Sequence, residues 1–297
     1  MNIKEIKSTY ERDGYVVLER FIPDELIKEL RSETDRFVAA ARSNSLVGGN
    51  FDVIETPNGP DLRRIADPEA ASEVYDRAMR WAPLVDLVTE LLGGTCRFDH
   101  GKLNFKPPSG GGALDWHQDY AFYPNTNQDM LAVGIMIEDC TAENGPLMVI
   151  PGSHRNTQGI EGGPIFDHHQ NGVFVGGVKS HAMGGMDEAA VALTAPAGSI
   201  SIHHTATFHA STANRGNKNR PLLLYNYFAA DAFPVYYNYD WGAFNARLLR
   251  GEVVHTPRYD PLPCKVPQPV PQAASDSLSG SIYAAQAQME GGAILTT

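Results

Sequence analysis

Cysteine is scarce. Cys96, Cys140 and Cys264 are the only three among 297 residues, and each stands alone. That excludes a disulfide framework and a CxxC-type zinc site. No stretch approaches the roughly 18 apolar residues that a membrane span needs. The opening MNIKEIKSTYERDG is charged and has no apolar leader segment, so a reducing, cytoplasmic setting is the expectation. Positive charge is also short. Lys plus Arg number 24 against 35 Asp plus Glu, a net charge of −11 with no basic run, which argues against a nucleic-acid partner. Nor is the chain poor in core-forming residues. At 42% hydrophobic content and this length it can bury roughly three quarters of its unfolded surface.

Turn formers are plentiful, with 28 glycines and 20 prolines. The first hundred residues read as helices around one short strand. Ile3, Ile6 and Tyr10 recur at helical spacing, Asp13-Gly14 stops that helix, and YVVLERF over 15–21 has strand character. Pro23, Asp24 and Glu25 suit a helix start, and Leu26, Ile27, Leu30, Phe37 and Val38 form its apolar stripe. A third helical stretch is predicted over 68–92, interrupted at Pro83 and ended by Gly93-Gly94. From 97 to 231 short strand-like runs follow one another, with Asn144-Gly145 as a hairpin signal.

The pattern predicts a mainly β fold with flanking helices, a double-stranded β-helix (jelly roll, cupin-like) core with the helices outside. A single domain over 1–255 is expected, with a glycine-rich insertion at 154–195 suited to act as a lid. Residues 256–297 read as a proline-rich extended arm and tail, suited to clasp a neighbouring subunit in a homo-oligomer.

The chemistry centres on ALDWHQDYAFYP. His117 and Asp119 are two apart, so on a strand they project from one face and set an imidazole beside a carboxylate. A third metal ligand is offered by GSISIHHTATFHASTANRGNKNRP, where His203, His204 and His209 compete. Two histidines and a carboxylate on one side of a ferrous ion leave positions for a chelating 2-oxoacid and dioxygen. The far carboxylate of the 2-oxoacid then needs a cation, best a guanidinium. Arg220 opens RPLLLYNYF eleven residues after His209, and an antiparallel hairpin would bring the two together.

These blocks, with DGYVVLERFIPDELI, NFKPPSGGG and ENGPLMVIPGSHR, make the chain resemble the phytanoyl-CoA dioxygenase family of Fe(II)/2-oxoglutarate oxygenases over about residues 10 to 230. The resemblance implies His117, Asp119 and His209 as iron ligands. It implies Arg220 as anchor of 2-oxoglutarate and Ser211 as a hydroxyl donor to the same carboxylate. Arg64 and Lys102 are weaker candidates for that acid or a substrate acid, and read equally well as surface charges. O2 is the second co-substrate, and ascorbate would support turnover. Asp119 sets the chain apart from related halogenases, in which a small residue stands there, so hydroxylation or another oxidation is implied. The substrate implied is a small organic molecule, converted as 2-oxoglutarate becomes succinate and carbon dioxide. Rival readings are a non-catalytic cupin-like metal or ligand binder and an iron oxygenase independent of 2-oxoglutarate.

Other residues carry less. The resemblance marks His154, in IPGSHR, as part of a structural turn after a strand; His203 and His204 are expected in core or rim positions, and Trp116 and Tyr120 in the core. Phe233, Tyr236 and Tyr237, within an aromatic-rich stretch, and His168 in the insertion are candidates for substrate contact.

Overall fold

The computed structural model describes residues 2–56, 59–108, 112–155, 165–236, 238–261, 264–270 and 282–286. Helix α1 (Ile3–Asp13) starts at an Asn2 capping box with Glu5 and stops where Gly14 turns left-handed. Strand β1 (Tyr15–Leu18) ends before the seven-residue run does, because Arg20 takes a positive φ of 50°. Helix α2 (Asp24–Arg42) follows, then the hairpin β2 (Asn50–Thr56) and β3 (Gly59–Ala66). The stretch expected as one helix is three: α3 (Pro68–Ala71), α4 (Glu73–Met79) and α5 (Ala82–Leu91). The breaks fall at Ser72 and at Arg80-Trp81. Pro83 sits in the first turn of α5, where its missing N–H leaves no bond unmade, so it begins a helix rather than interrupting one.

The strands that follow are β4 (Cys96–Lys106), β5 (Leu114–His117), β6 (Met130–Met136), β7 (Leu147–Val149), β8 (His169–Gln170), β9 (Val173–Phe174), β10 (Val191–Leu193), β11 (Ile200–His204), β12 (His209–Ser211) and β13 (Arg220–Phe228). Helix α6 (Trp241–Ala246), β14 (Leu248–Arg250) and α7 (Ile282–Gln286) complete the described elements. A large antiparallel sheet runs β1-β11-β6-β13-β4-β3-β2, with β14 on β4, and a smaller one runs β10-β7-β12-β5. The two face each other as a double-stranded β-helix, and β8-β9 forms a separate hairpin.

Side-chain alternation explains this arrangement. On β13 every residue is buried. Leu223, Tyr225 and Tyr227 join the core shared with α1, α2, α4 and α5, and Tyr225 and Tyr227 donate their hydroxyls to the carbonyls of Tyr75 (2.6 Å) and Met79 (2.8 Å). Arg220, Leu222 and Leu224 point the other way, into a cavity between the sheets. Each large apolar side chain buried outward contributes roughly 1.5–3 kcal/mol. That helix-facing layer holds the large sheet flat against α1–α5 and leaves its inner face for the site.

Asn144-Gly145 is not a hairpin turn. It carries the chain from β6 in the large sheet to β7 in the small one, and Asn144 bridges to Asn214. The described part of the insertion is packed rather than loose: Ile165, Phe174, Val178 and Met183 are buried, and Val178 donates its N–H to the Trp116 carbonyl at 2.8 Å. Residues 156–164 lie outside the described residues, as do 271–281 and 287–297 of the arm and tail. What is described of the arm and tail contacts other parts of this chain. Pro269 accepts from Phe174 N–H at 2.8 Å, and the Gln286 amide bonds the Asp115 backbone N–H (2.9 Å) and the Gly176 carbonyl (2.9 Å). Among the described residues no helix is long and apolar enough to cross a membrane.

Candidate active site and metal centre

His117 closes β5, but Asp119 is not on that strand. The chain stays extended through Gln118 and then enters a 3-10 turn (Asp119–Ala121). Same-face strand geometry therefore does not account for the pairing of the two side chains; the turn does. His209, on β12, lies directly opposite His117 in the ladder, with ring centroids 4.0 Å apart. The Nδ1–H of His117 donates to the Asp115 carbonyl (2.8 Å) and that of His209 to the Thr207 carbonyl (2.9 Å). Those bonds fix both tautomers and leave each Nε2 with a lone pair for a metal. His209 Nε2 is 3.7 Å from Asp119 Oδ1, and one ligand atom from each of the three residues lies within 4.8 Å of the others. Two imidazole nitrogens and one carboxylate, all on one side and facing a cavity, are the donor set suited to a ferrous ion with open positions.

Electrostatics favour ligation. Burial pushes the His117 imidazole down to about 4 and holds that of His209 well below its ordinary value, so both are neutral at pH 7. Burial would raise the Asp119 carboxyl, yet Lys102, His209 and His203 hold it well below the usual carboxylate range. The loop between the ligands is pinned. Gln118 is fully buried, its amide donating to the Ala206 carbonyl (2.7 Å) and accepting from Phe166 N–H (2.9 Å). Gln118 N–H donates to His168 Nε2 at 3.0 Å, while His168 Nδ1–H donates to the Phe166 carbonyl at 2.8 Å. Both nitrogens of His168 are thus used up as a brace behind the ligand loop. The expected substrate contact is corrected accordingly.

The cavity has a volume of about 420 Å³. Arg220, Ser211 and Lys106 occupy the end away from Asp119. Arg220 and His209 belong to different sheets, so they meet across the barrel and not through the hairpin expected from their spacing. Arg220 donates through Nη2 to the Gly145 carbonyl, and among the described residues its buried Nε and the Ser211 hydroxyl have no partner. Lys106 stands opposite Arg220 in the ladder and donates to the carbonyls of Gly112 (2.8 Å) and Thr212. Burial and the neighbouring guanidinium push its ammonium down to about 6. Orphaned donors beside buried cations are what an acid-binding pocket shows before its ligand arrives. Arg64, on β3, also lines the cavity.

Gly145 keeps Arg220 in place. Its φ is +83°, and a Cβ there would lie 2.8 Å from the Thr212 carbonyl and 2.7 Å from Lys106 Cδ. Gly145→Ala is expected to weaken 2-oxoglutarate binding about tenfold or more while leaving iron loading intact, as read by calorimetry and by an iron assay.

At the other end, Lys102 Nζ is 4.0 Å from Asp119 Oδ1, and His203 Nε2 is 3.6 Å from Oδ2. His203 is no core filler. On β11, Ile200 and Ile202 face the helices, so His203 faces inward and lines the cavity. His204 does pack away from the site, against Tyr10 and His154, accepting from Ala206 N–H at 3.0 Å. His154 bonds the Glu11 carbonyl at 3.2 Å. Trp116 and Tyr120 are buried in clusters behind the ligand loop. Phe233 is corrected: it stacks with Trp241 and Phe244 and lies off the cavity, because the aromatic stretch packs α6. Tyr236 does line the cavity and donates its hydroxyl to the Phe122 carbonyl at 3.1 Å; Tyr237 lies outside the described residues. Sequence reasoning missed the lining residues Leu222 and Leu224, which parity with Arg220 could have found, and Tyr283 of α7, for which no signal existed.

The family profile "Phytanoyl-CoA dioxygenase (PhyH)" matches residues 10–222. A probable alpha-ketoglutarate-dependent hypophosphite dioxygenase of Stutzerimonas stutzeri is 32% identical over 271 residues, covering 88% of this chain and 91% of the relative. The L-proline trans-4-hydroxylase of Streptomyces griseoviridis is 29% identical, covering 74% of this chain and 84% of its own. The crystal structure of EctD from S. alaskensis with 2-oxoglutarate and 5-hydroxyectoine superposes with a TM-score of 0.66 at 23% identity, covering 90% of this chain and 88% of that one, a likeness of fold. A profile spanning most of the chain, and a relative matched over nearly its whole length, agree with the barrel and its His117-Asp119-His209 cluster: the chain belongs to the phytanoyl-CoA dioxygenase family.

Proposed function

We propose that this protein is a non-haem Fe(II)/2-oxoglutarate-dependent dioxygenase that hydroxylates or otherwise oxidises a small molecule while 2-oxoglutarate is decarboxylated to succinate. One observation carries the reading. Two imidazoles with their Nε2 lone pairs free and a carboxylate converge at one end of a cavity, and a buried guanidinium and hydroxyl without full partners wait at the other.

His117, Asp119 and His209 would hold the iron. When bound, the ferrous ion activates dioxygen, and 2-oxoglutarate supplies two of the electrons that its reduction requires. Arg220 pairs with the distal carboxylate of the co-substrate, Ser211 donates a hydroxyl to it, and Lys106 adds positive charge that the incoming acid would stabilise. Gln118 and His168 keep the ligand loop rigid, so the donor atoms need no rearrangement on loading. Tyr236 and Tyr283 narrow the cavity and limit water near the reacting atoms. Three unpaired cysteines and a ferrous site suit the reducing cytoplasm.

The test is succinate formation. Protein supplied with ferrous iron, ascorbate and 2-oxoglutarate under air should release succinate even without a prime substrate, at a slow uncoupled rate. Silence with candidate substrates present as well would favour a metal-binding protein without turnover. Arg220→Ala should raise KM for 2-oxoglutarate at least about 30-fold, the cost expected for truncating one partner of a buried charge pair, with iron stoichiometry unchanged. Full activity in that variant would favour an oxygenase independent of 2-oxoglutarate.

A further inference from the structure

The residues around Asp119 include two that iron and 2-oxoglutarate do not employ. We infer that the prime substrate is a small anion, or carries an acidic group, and that Lys102 and His203 bind that group. The inference rests on the iron and 2-oxoglutarate reading above.

Charge is the first argument. The chain carries −11 overall, yet among the described residues Arg64, Lys102 and Arg220 face the cavity against two carboxylates, Asp67 and Asp119, and Lys106 adds a further positive charge once an anion stabilises it. A ferrous ion and a 2-oxoglutarate dianion cancel one another, so the loaded site keeps its positive surplus. An acidic protein concentrates cations in a buried cavity only at a desolvation cost, which an anionic ligand offsets.

Position is the second. On β4, Lys106 pairs with Arg220 and Lys102 pairs with Leu224, four residues further along β13. At the rise of an antiparallel strand that is about 13 Å between the backbone positions, so Lys102 enters the cavity well along the strand from Arg220. Lys102 instead approaches Asp119. A metal claims that carboxylate, which leaves the ammonium without its counter-charge.

The third is an orphaned donor. His203 is 1% exposed and lines the cavity, and among the described residues neither ring nitrogen has a hydrogen-bond partner. Its 3.6 Å approach to Asp119, and the 4.0 Å approach of Lys102, are longer than hydrogen bonds. An imidazole has at least one N–H in either protonation state, so His203 offers a donor from β11 opposite an ammonium from β4. An oxyanion between them, beside the metal ligands, would satisfy both. The size of the cavity agrees: about 420 Å³ shared with 2-oxoglutarate suits a small acid.

The test uses the full chain loaded anaerobically with Fe(II) and 2-oxoglutarate, whose charge-transfer absorption reports the metal environment. Phosphite, hypophosphite, acetate and propionate are titrated in, with acetamide and propionamide as neutral counterparts and chloride as the ionic-strength control. At least one phosphorus oxyanion or carboxylate should perturb the band saturably, and the amides and chloride should not; the anion that does so tells which acid is favoured. Lys102→Met and His203→Phe should each weaken that binding at least tenfold, with iron stoichiometry kept and 2-oxoglutarate affinity changed less than threefold. The inference is overturned if no anion perturbs the band, if the amides do so equally, or if the variants lose iron or 2-oxoglutarate instead. Failure of the charge-transfer band to form in the unmodified protein would sink the underlying co-substrate reading, a separate result.

Discussion

Asp119→Ala should abolish turnover while leaving the barrel folded. The carboxylate is the only anionic member of the His117-Asp119-His209 cluster, and its removal leaves two neutral imidazoles beside the Lys102 ammonium. Loss of a residue that merely orients a ligand costs 10–100-fold in metal affinity, so loss of a ligand should cost on the order of 1,000-fold or more in activity. The fold should tolerate the change. The buried carboxylate has to be desolvated, and Lys102 is a quarter exposed and can turn to solvent. Iron retained after anaerobic loading and desalting, succinate released per minute and the far-ultraviolet dichroism together check the expectation. A variant that keeps stoichiometric iron and succinate formation would show that the cluster is not the metal site.

Acid should unfold the metal-free protein early. Burial, first of all, pushes the imidazoles of His117 and His168 down to about 4 and that of His204 to about 3, and holds His209 well below its ordinary value. In the unfolded chain each titrates near 6.5. Between these limits the unfolded state binds more protons than the folded one, so stability falls as pH is lowered from about 6.5 toward 4. His117, His168 and His204 each contribute a loss of a few kcal/mol across that window, in order of magnitude, and His209 adds a loss of the same sign, against a total stability of about 5–15 kcal/mol. Asp119, held low in the folded state, adds a loss of the same sign below the unfolded carboxylate value. The Tm of the metal-free protein should therefore drop by about 10 °C or more between pH 7 and pH 5. Iron, if held by His117 and His209, would need both imidazoles neutral and should shift the drop to lower pH. Scanning calorimetry with and without iron measures both, and a Tm flat to pH 5 would contradict the burial argument.

Parts of this molecule could be read from the chain because they are local. The Asn2 box and the Gly14 stop of α1 are neighbours in sequence, and so are the residues that make β13 a continuous buried strand. The HQD block and His209 stand out because the metal chemistry demands those residue types. The reasoning that joined them was less sound than the choice itself: Asp119 lies past the end of its strand, and Arg220 reaches His209's cavity from the opposite sheet. The Asn144-Gly145 signal likewise marked a real turn with the wrong partner strand, because turn chemistry records a reversal and not the sheet that receives it.

The amino-acid order alone determined the layered β architecture with outer helices, the three metal-ligand candidates and the guanidinium. Tertiary structure alone decided the rest. It put Lys102 and His203 into the cavity, turned His168 into a brace and Phe233 into packing for α6, and folded α7 back so that Tyr283 meets the site. The physical reason is that an alternating strand such as Lys102-Leu103-Asn104-Phe105-Lys106 reads the same whether its polar face meets water or a ligand. Only when helices cover one face of the sheet and a second sheet covers the other does that polar face become an interior, and its charges a binding site.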